Sequence, residues 1–400
     1  MINNLEDLIK NHGSPNILID NWNELIGYAV WDFKNIILWD QSGLYISGKS
    51  VEPKMQNVQS EINRWKLKSK SIAAIGFINY NFKNIIYPHI NFKIQENNLP
   101  YLVFINPKKI KKYNIKNHNS KLSSSLKLKS DILPIDSYSK IIKKIKDHLE
   151  CGNAYQINYT MLKKFEVSIS PFELYLQLRK NIKPKFGYYF NFSDYDILSF
   201  SPEQFFKKIA DDIYSYPMKG TIERDINIEK DKMNKIKLSN SEKDKAEHLM
   251  IVDLIRNDLG KICQYGSVKV ENLFHVQSHD TVYQMVSCIN GKIKNDIEEL
   301  DIINALFPGG SVTGAPKESA MSIIDSLENY NRNIYTGAIG YIDKNSDMNF
   351  NIPIRTMTIR NKLGEYPVGG GIVWDSDAIN EWHEAQTKSK ILAYAEKENK

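Results

Sequence analysis

The 400-residue chain has 42% apolar and 25% charged residues, the balance of a globular protein long enough to bury its core without covalent staples. Its 53 basic and 47 acidic residues leave a net charge of +6, mild for this length and no sign of a dedicated polyanion binder. Three scattered cysteines exclude a disulfide framework or a cysteine zinc site, and no apolar run reaches the roughly 18 residues that a membrane helix needs.

The start, Met1-Ile2-Asn3-Asn4-Leu5-Glu6, has neither a basic n-region nor an apolar h-region, so a reducing cytoplasm is expected, with no membrane partner. Residues 1–106 hold short strand-like runs at 17–19, 28–31, 35–39, 72–78 and 101–104, separated by turn residues. They read as a β-rich N-terminal part without a catalytic constellation. Residues 107–130 read as a basic, linker-like segment, with eight lysines and no acid between 107 and 129 and with Ser120, Ser123, Ser124 and Ser125. Nucleic-acid binding favours arginine and stacking aromatics among the lysines, so this tract reads as solvated chain and no nucleic-acid partner is expected.

From Asp131 the texture changes, and residues 131–400 form the third region. A helix is expected from Asp136-Ser137, with Ile141, Ile142, Ile145 and Leu149 on one stripe and an end before Gly152. Residues 153–160 alternate as a strand, Pro171 opens a second helix, and 186–192 with 196–200 read as a hairpin leading to Ser201-Pro202-Glu203. Helices mixed with antiparallel hairpins give an α+β fold class.

A strand-like run over 200–216 meets Pro217, which has no N–H for a ladder. Lys219 then stands before Gly220 and Thr221, and is expected on a turn. Taken alone, it reads first as a surface charge.

Asn240-Ser241 opens the clearest helix, with Ser241 and Asp244 approximating a capping box, Leu249, Val252, Ile255 and Leu259 as the apolar stripe, and Gly260 as its end. Asp244, Glu247, Ile251 and Asp258 line another face. Strands follow at 268–274 and 281–289, and a short helix at 301–307. The glycine-rich loop 308–317 opens a further helix and offers backbone N–H groups to an anion, although it is neither a Walker loop nor a dinucleotide turn. Strands are expected at 335–341 and at 349–360, the latter carrying Arg355. The run Val368-Gly369-Gly370-Gly371 allows close backbone approach, and Asp377 caps a last helix with Glu381, Glu384 and Lys388 on one face.

Two helices therefore present acids at i,i+3, Asp244 with Glu247 and Glu381 with Glu384. Brought together, their oxygens suit a hard cation such as Mg²⁺; kept apart, they are solvated faces. Arg355 is either a fork for a carboxylate or one half of a surface ion pair.

Residues from about 131 to 400 resemble the chorismate-utilising enzymes. The resemblance is carried, in order, by Ser201-Pro202-Glu203, by the run 247–258, by the loop 309–317, by Ile354-Arg355-Thr356, and by 369–376 with the Glu381, Glu384 and Lys388 helix. The N-terminal third resembles the family weakly and lacks its Leu-Leu-Glu-Ser type stretch, so feedback by tryptophan is not expected. The resemblance implies two orthogonally packed antiparallel sheets flanked by helices. It implies one Mg²⁺ on the ring carboxylate of chorismate, with Glu247 and Glu384 as ligands and Asp244 and Glu381 behind them. It implies that Arg355 and Tyr335 grip the pyruvyl carboxylate, that Gly369, Gly370 and Gly371 add backbone donors, that Gly220, Thr221, Ser311 and Lys388 complete the pocket, and that Glu203 stands near the leaving hydroxyl.

Lys219 discriminates among family branches. Branches that form anthranilate typically have alanine here, and those that form aminodeoxychorismate have lysine. Gln156 stands where the isochorismate-forming branch has a water-activating lysine, and an amide cannot abstract a proton. The resemblance thus implies amination of chorismate at C4 through a Lys219 adduct, on the p-aminobenzoate and folate route. Without an evident glutaminase unit in the chain, ammonia is expected from a glutamine amidotransferase subunit in a heterodimer. Gln284 departs from the histidine common in anthranilate-forming members, and His275 and His279 read as structural or exposed.

Overall fold

A computed structural model describes residues 3–93, 99–116, 125–278 and 282–395. Residues 117–124 of the lysine tract and His279 lie outside the described residues. The fold is α+β, as expected, with ten α-helices around antiparallel strands among the described residues. Asn3–Asn4 against Leu102–Asn114 is a parallel pairing.

The strands form two faces that meet across an apolar layer, and residue alternation shows how. In Ile17–Asn21, Ile17 and Ile19 enter the middle layer and Leu18 turns to the opposite side. Phe186–Phe192 does the same, with Phe186, Tyr188 and Phe190 inward and Tyr189 outward. Facing them, Ile75, Phe77, Val103 and Ile105 fill the middle layer from Ile72–Ile78 and Leu102–Asn114, while Ala74 and Phe104 point away. This is the period-2 rule of a strand covered on both sides. Helices Ile135–Glu150 and Pro171–Ile182 cover one outer face; Met55–Lys68, Glu242–Ile262 and Glu299–Leu306 cover the other. Each large apolar side chain buried this way contributes roughly 1.5–3 kcal/mol.

The two faces are joined. Ile26–Asp40 and Leu102–Asn114 pair along their length, with register shifts around Asp32 and Phe33 that let both strands bend from one face into the other. The hydrogen-bonded ladders thereby connect into a single network.

Two expectations about organisation change. The 107–130 segment is not a linker in its described parts: residues through Asn114 pair with Ile26–Gly27 and their neighbours, and Leu126–Ser130 pairs with Gln156–Val167. The lysines of its described parts stay at the surface, while Tyr113 and Leu126 are buried. Nor do residues 1–106 stand apart. Ile17–Asn21 pairs with Phe186–Phe192, and Ile72–Ile78 pairs with Ala338–Asp343.

Local chemistry explains the helix ends. Ser170 and Glu173 make a full capping box before Pro171. The Ser241 hydroxyl accepts from the Asp244 N–H at 3.3 Å and opens Glu242–Ile262. That helix passes through Gly260 and ends at Ile262, because Leu259 and Ile262 are still needed in the core. Ile228–Asn240 was not expected as a helix; its sequence is mostly polar, and Asp231 and Leu238 are its buried residues. The strand-like run over 200–216 is a hairpin, Gln204–Ile209 with Asp212–Ser215.

Candidate active site

Lys219 lies on a bulged strand, not on a turn. Met218–Glu223 pairs with Val282–Lys292, with Lys219 opposite Met285 and Thr221 opposite Gln284. Gly220 is the extra residue between them, at φ 70°. A side chain would be strained there, and a Cβ would sit 3.0 Å from the Asp244 Oδ1. Pro217 interrupts the strand just before, and its carbonyl accepts from the Ser287 N–H at 3.4 Å. Thr221 is exposed, beyond the bulge.

The half-buried Lys219 ammonium reaches the triple glycine. A Cβ on Gly371 would be 2.9 Å from both the Lys219 Nζ and the Gln156 Nε2; one on Gly370 would be 3.2 Å from the Lys388 Nζ and 3.8 Å from the Glu381 Oε2 and Glu384 Oε1. These glycines pair with Asn158, Tyr159 and Thr160 of Gln156–Val167, so a rigid ladder holds the floor on which the charged groups gather. Lys388 donates to the Gly369 carbonyl at 2.9 Å and to Glu384 at 2.7 Å.

Burial pushes the Lys219 pKa below that of an ordinary lysine, and Lys388 acts in the same sense, whereas Glu247, Glu203 and Glu384 oppose it. Burial raises the Glu247 carboxyl, with Asp244 and Glu381 adding repulsion against Lys219 and Lys243. Burial also raises Glu381, aided by Glu384, although the Ser376 hydroxyl donates to it at 2.7 Å. For Glu384 burial acts upward, but its bonded Lys388, with Lys219 and Lys243, leaves it below the usual range. The four acids from two helices thus share one field with three lysines, Lys219, Lys243 and Lys388.

Glu203 is buried, which raises its pKa; Ser311, donating at 2.6 Å, and then Lys219 and Lys388 oppose that rise. About 400 Å³ of open space lies beside Glu203 and Ser311, walled by Phe205, Pro217, Leu259 and Leu306. Tyr335 is buried, and burial holds its hydroxyl protonated. It sits in a turn, because the strand expected from 335 begins at Ala338. The strand expected over 349–360 is likewise broken, into Met348–Asn351 and Thr356–Arg360, and Arg355 occupies the gap at φ 51°. Its guanidinium is exposed and forms no ion pair among the described residues. Tyr366 lies in the field of both Arg355 and Tyr335 and donates to the Lys388 carbonyl at 3.2 Å, which brings both sides of the site together.

Asp258, expected on the acidic face, is instead buried against Lys317 at 2.6 Å. The charge of the glycine-rich loop therefore turns into the core, and Ser311 is the loop residue that reaches the site. Among the described residues, no three carboxylate, imidazole or thiol groups come within ligating reach of one point. The donor set of Glu247, Glu384, Asp244 and Glu381 is nonetheless all hard oxygen, the chemistry that Mg²⁺ takes.

Sequence reasoning missed two groups. His248 is fully buried beside Glu247, its Nε2 is 2.7 Å from the Ser287 Oγ, and burial and Lys219 lower its pKa to about 4. Its place next to a proposed metal acid was the available signal. The buried pair Glu328 and Arg332 had none, since its partners come from two stretches far away in the sequence, 158–160 and Val312.

Comparison with known proteins identifies a family. The chorismate binding enzyme family matches residues 34–394. The chain is 34% identical over 337 residues to anthranilate synthase component 1 of Saccharolobus solfataricus, covering 81% of this chain and 80% of that protein. It is 38% identical over 263 residues to aminodeoxychorismate synthase component 1 of Escherichia coli, covering 66% of this chain and 58% of that protein. For the chloroplastic aminodeoxychorismate synthase of Arabidopsis thaliana the values are 41% over 265 residues, 65% and 28%, so this chain spans only part of several relatives. Anthranilate synthase component I from Streptococcus pneumoniae superposes with a TM-score of 0.79 at 25% identity, covering 91% of each chain. No helix among the described residues is long and apolar enough to cross a membrane. With that family matched over residues 34–394, the chain belongs to the chorismate-binding enzymes.

Proposed function

We propose that the chain is the ammonia-using large component of an aminodeoxychorismate synthase, converting chorismate and ammonia to 4-amino-4-deoxychorismate. The supporting observation is Lys219: a half-buried amine of lowered pKa, against Gly371 and in the field of Glu203. In this reading the neutral Lys219 Nζ bonds to C2 of the ring. The two ring double bonds shift, and the C4–O bond breaks. Glu203, whose carboxyl burial shifts upward, gives its proton to the departing hydroxyl, which leaves as water. Ammonia then bonds to C4, the double bonds shift back, and the C2–N bond to Lys219 breaks. One hard displacement becomes two easier ones.

Arg355 and Tyr335 hold the pyruvyl carboxylate, with Gly369, Gly370 and Gly371 as backbone donors and Gly220, Thr221, Ser311 and Lys388 around the ring. Glu247 and Glu384 would hold Mg²⁺, with Asp244 and Glu381 behind them. The ion, when bound, supplies positive charge for the ring carboxylate. Ammonia would come from a glutamine amidotransferase subunit, as the "component 1" in the names of the relatives suggests.

A second reading, anthranilate formation, is favoured by the match to the Saccharolobus enzyme, which covers more of this chain than the aminodeoxychorismate synthases do. Incubation with chorismate, Mg²⁺ and ammonium at mildly alkaline pH separates the two. Aminodeoxychorismate as product supports the first; fluorescent anthranilate alone rejects it.

A further inference from the structure

Arg332 and Glu328 lie in the irregular segment after helix Lys317–Leu327 and are 2% and 4% exposed. The guanidinium binds Glu328 through Nε at 2.8 Å and through Nη2 at 2.6 Å. It also donates to two groups from other stretches, the Asn158 carbonyl at 2.6 Å and the Val312 carbonyl at 2.9 Å, and to the Thr336 hydroxyl of the following turn at 3.3 Å. Glu328 accepts in turn from the Thr160 N–H at 2.9 Å and its hydroxyl at 2.7 Å.

Each of these contacts is one step from a group of the proposed site. Asn158 stands opposite Gly371, and Thr160 opposite Gly369. Val312 follows Ser311, which bonds Glu203. Thr336 follows Tyr335, and its N–H donates to the Pro353 carbonyl at 3.1 Å, two residues before Arg355. A lone buried charge would be costly, but this one is fully paired and ties two distant stretches and the following turn together at once. A lysine could keep the charge and could not reproduce the planar fork.

We propose that Arg332, held by Glu328, is the positioning residue of the substrate carboxylate grip. It sets the mutual spacing of Tyr335, Arg355, the glycine floor and Ser311 without touching substrate. The inference rests on the pocket described under the proposed function.

The test compares Arg332→Lys with Arg179→Lys. Arg179 is an equally buried arginine, paired with Asp20 in a separate network. Chorismate Kd is measured by calorimetry on each variant in a Lys219→Ala background, where no adduct forms, and Tm by scanning calorimetry. Both variants are expected to lower Tm. Arg332→Lys is expected to weaken chorismate binding about tenfold or more, the loss of one or two buried hydrogen bonds, while Arg179→Lys stays within about twofold. Equal weakening by both, or none with Arg332→Lys, overturns the proposal. Should Arg332→Lys not fold, Glu328→Gln keeps the volume and carries the same expectation and the same refutation. Arg355→Ala distinguishes the underlying reading: if it too leaves Kd unchanged, the pocket itself is misplaced; if it alone weakens binding, only the role of Arg332 falls.

Discussion

The Lys219 ammonium and Gly371 lie so close that a Cβ on the glycine would stand 2.9 Å from the Nζ. The nearest atoms are the far ends of two flexible side chains, those of Lys219 and Gln156, so a methyl group there displaces them at little cost to the fold. Gly371→Ala is therefore expected to leave Tm within a few degrees of wild type and to slow adduct formation on Lys219 by about 100-fold, the penalty for a misplaced reacting group. Rapid-quench mass spectrometry measures it. A wild-type rate in Gly371→Ala would remove the glycine from the account.

The protonation of Lys219 gives the sign of the pH dependence. Burial lowers its pKa from the ordinary 10.5, so the neutral amine becomes abundant at lower pH than for a free lysine. In Glu203→Gln, where no acid limb opposes it, adduct formation should rise with pH and level off below that value. Glu247→Gln removes the largest opposing negative charge, so the rise should move to lower pH. A profile that keeps climbing past the ordinary lysine range contradicts the burial argument.

Glu203 supplies the opposite limb. Its carboxyl is raised by burial and is needed protonated, so hydroxyl departure should fall as pH rises through its pKa. The Ser311 hydroxyl, at 2.6 Å, favours the charged form. Ser311→Ala should move this limb to higher pH, and Glu203→Gln should abolish it. Single-turnover rates across pH check both, and an unmoved limb in Ser311→Ala would break the assignment.

Much of this site was legible in the sequence because charged groups at helical spacing and glycines in runs carry their geometry with them. Glu381, Glu384 and Lys388 share a face for the reason expected, and Ser241 caps the helix that presents Asp244 and Glu247. The bulge at Gly220 was not legible, since it exists only against Gln284 and Met285 of another strand. Arg355 was read as strand; its left-handed backbone appears only once the flanking strands pair elsewhere, Met348–Asn351 with Gln204–Ile209 and Thr356–Arg360 with Tyr195–Ser201. The lysine tract misled because its exposed lysines flank the buried Tyr113, whose pairing with Gly27 is not visible in the sequence.

The N-terminal strands are part of the core. Asp20 is fully buried and accepts from the Arg179 Nη1 at 2.8 Å and the Tyr175 hydroxyl at 2.7 Å. Asp20→Ala leaves that arginine without its counter-charge and should cost about 3–5 kcal/mol of stability by urea titration. A fragment comprising 131–400 should fail to fold cooperatively, as it loses the partners of Phe186–Phe192 and Ala338–Asp343. A soluble fragment with a sharp thermal transition would restore the boundary that the sequence suggested.

The covalent role of Lys219 is tested most directly by intact-mass spectrometry of the protein mixed with chorismate and Mg²⁺ and no ammonium. The account expects a mass gain of chorismate less one water, mapped to the peptide holding Lys219, absent in Lys219→Ala and released as aminodeoxychorismate when ammonium is added. An adduct that persists in Lys219→Ala, or a wild-type protein that aminates chorismate without ever carrying one, would contradict it.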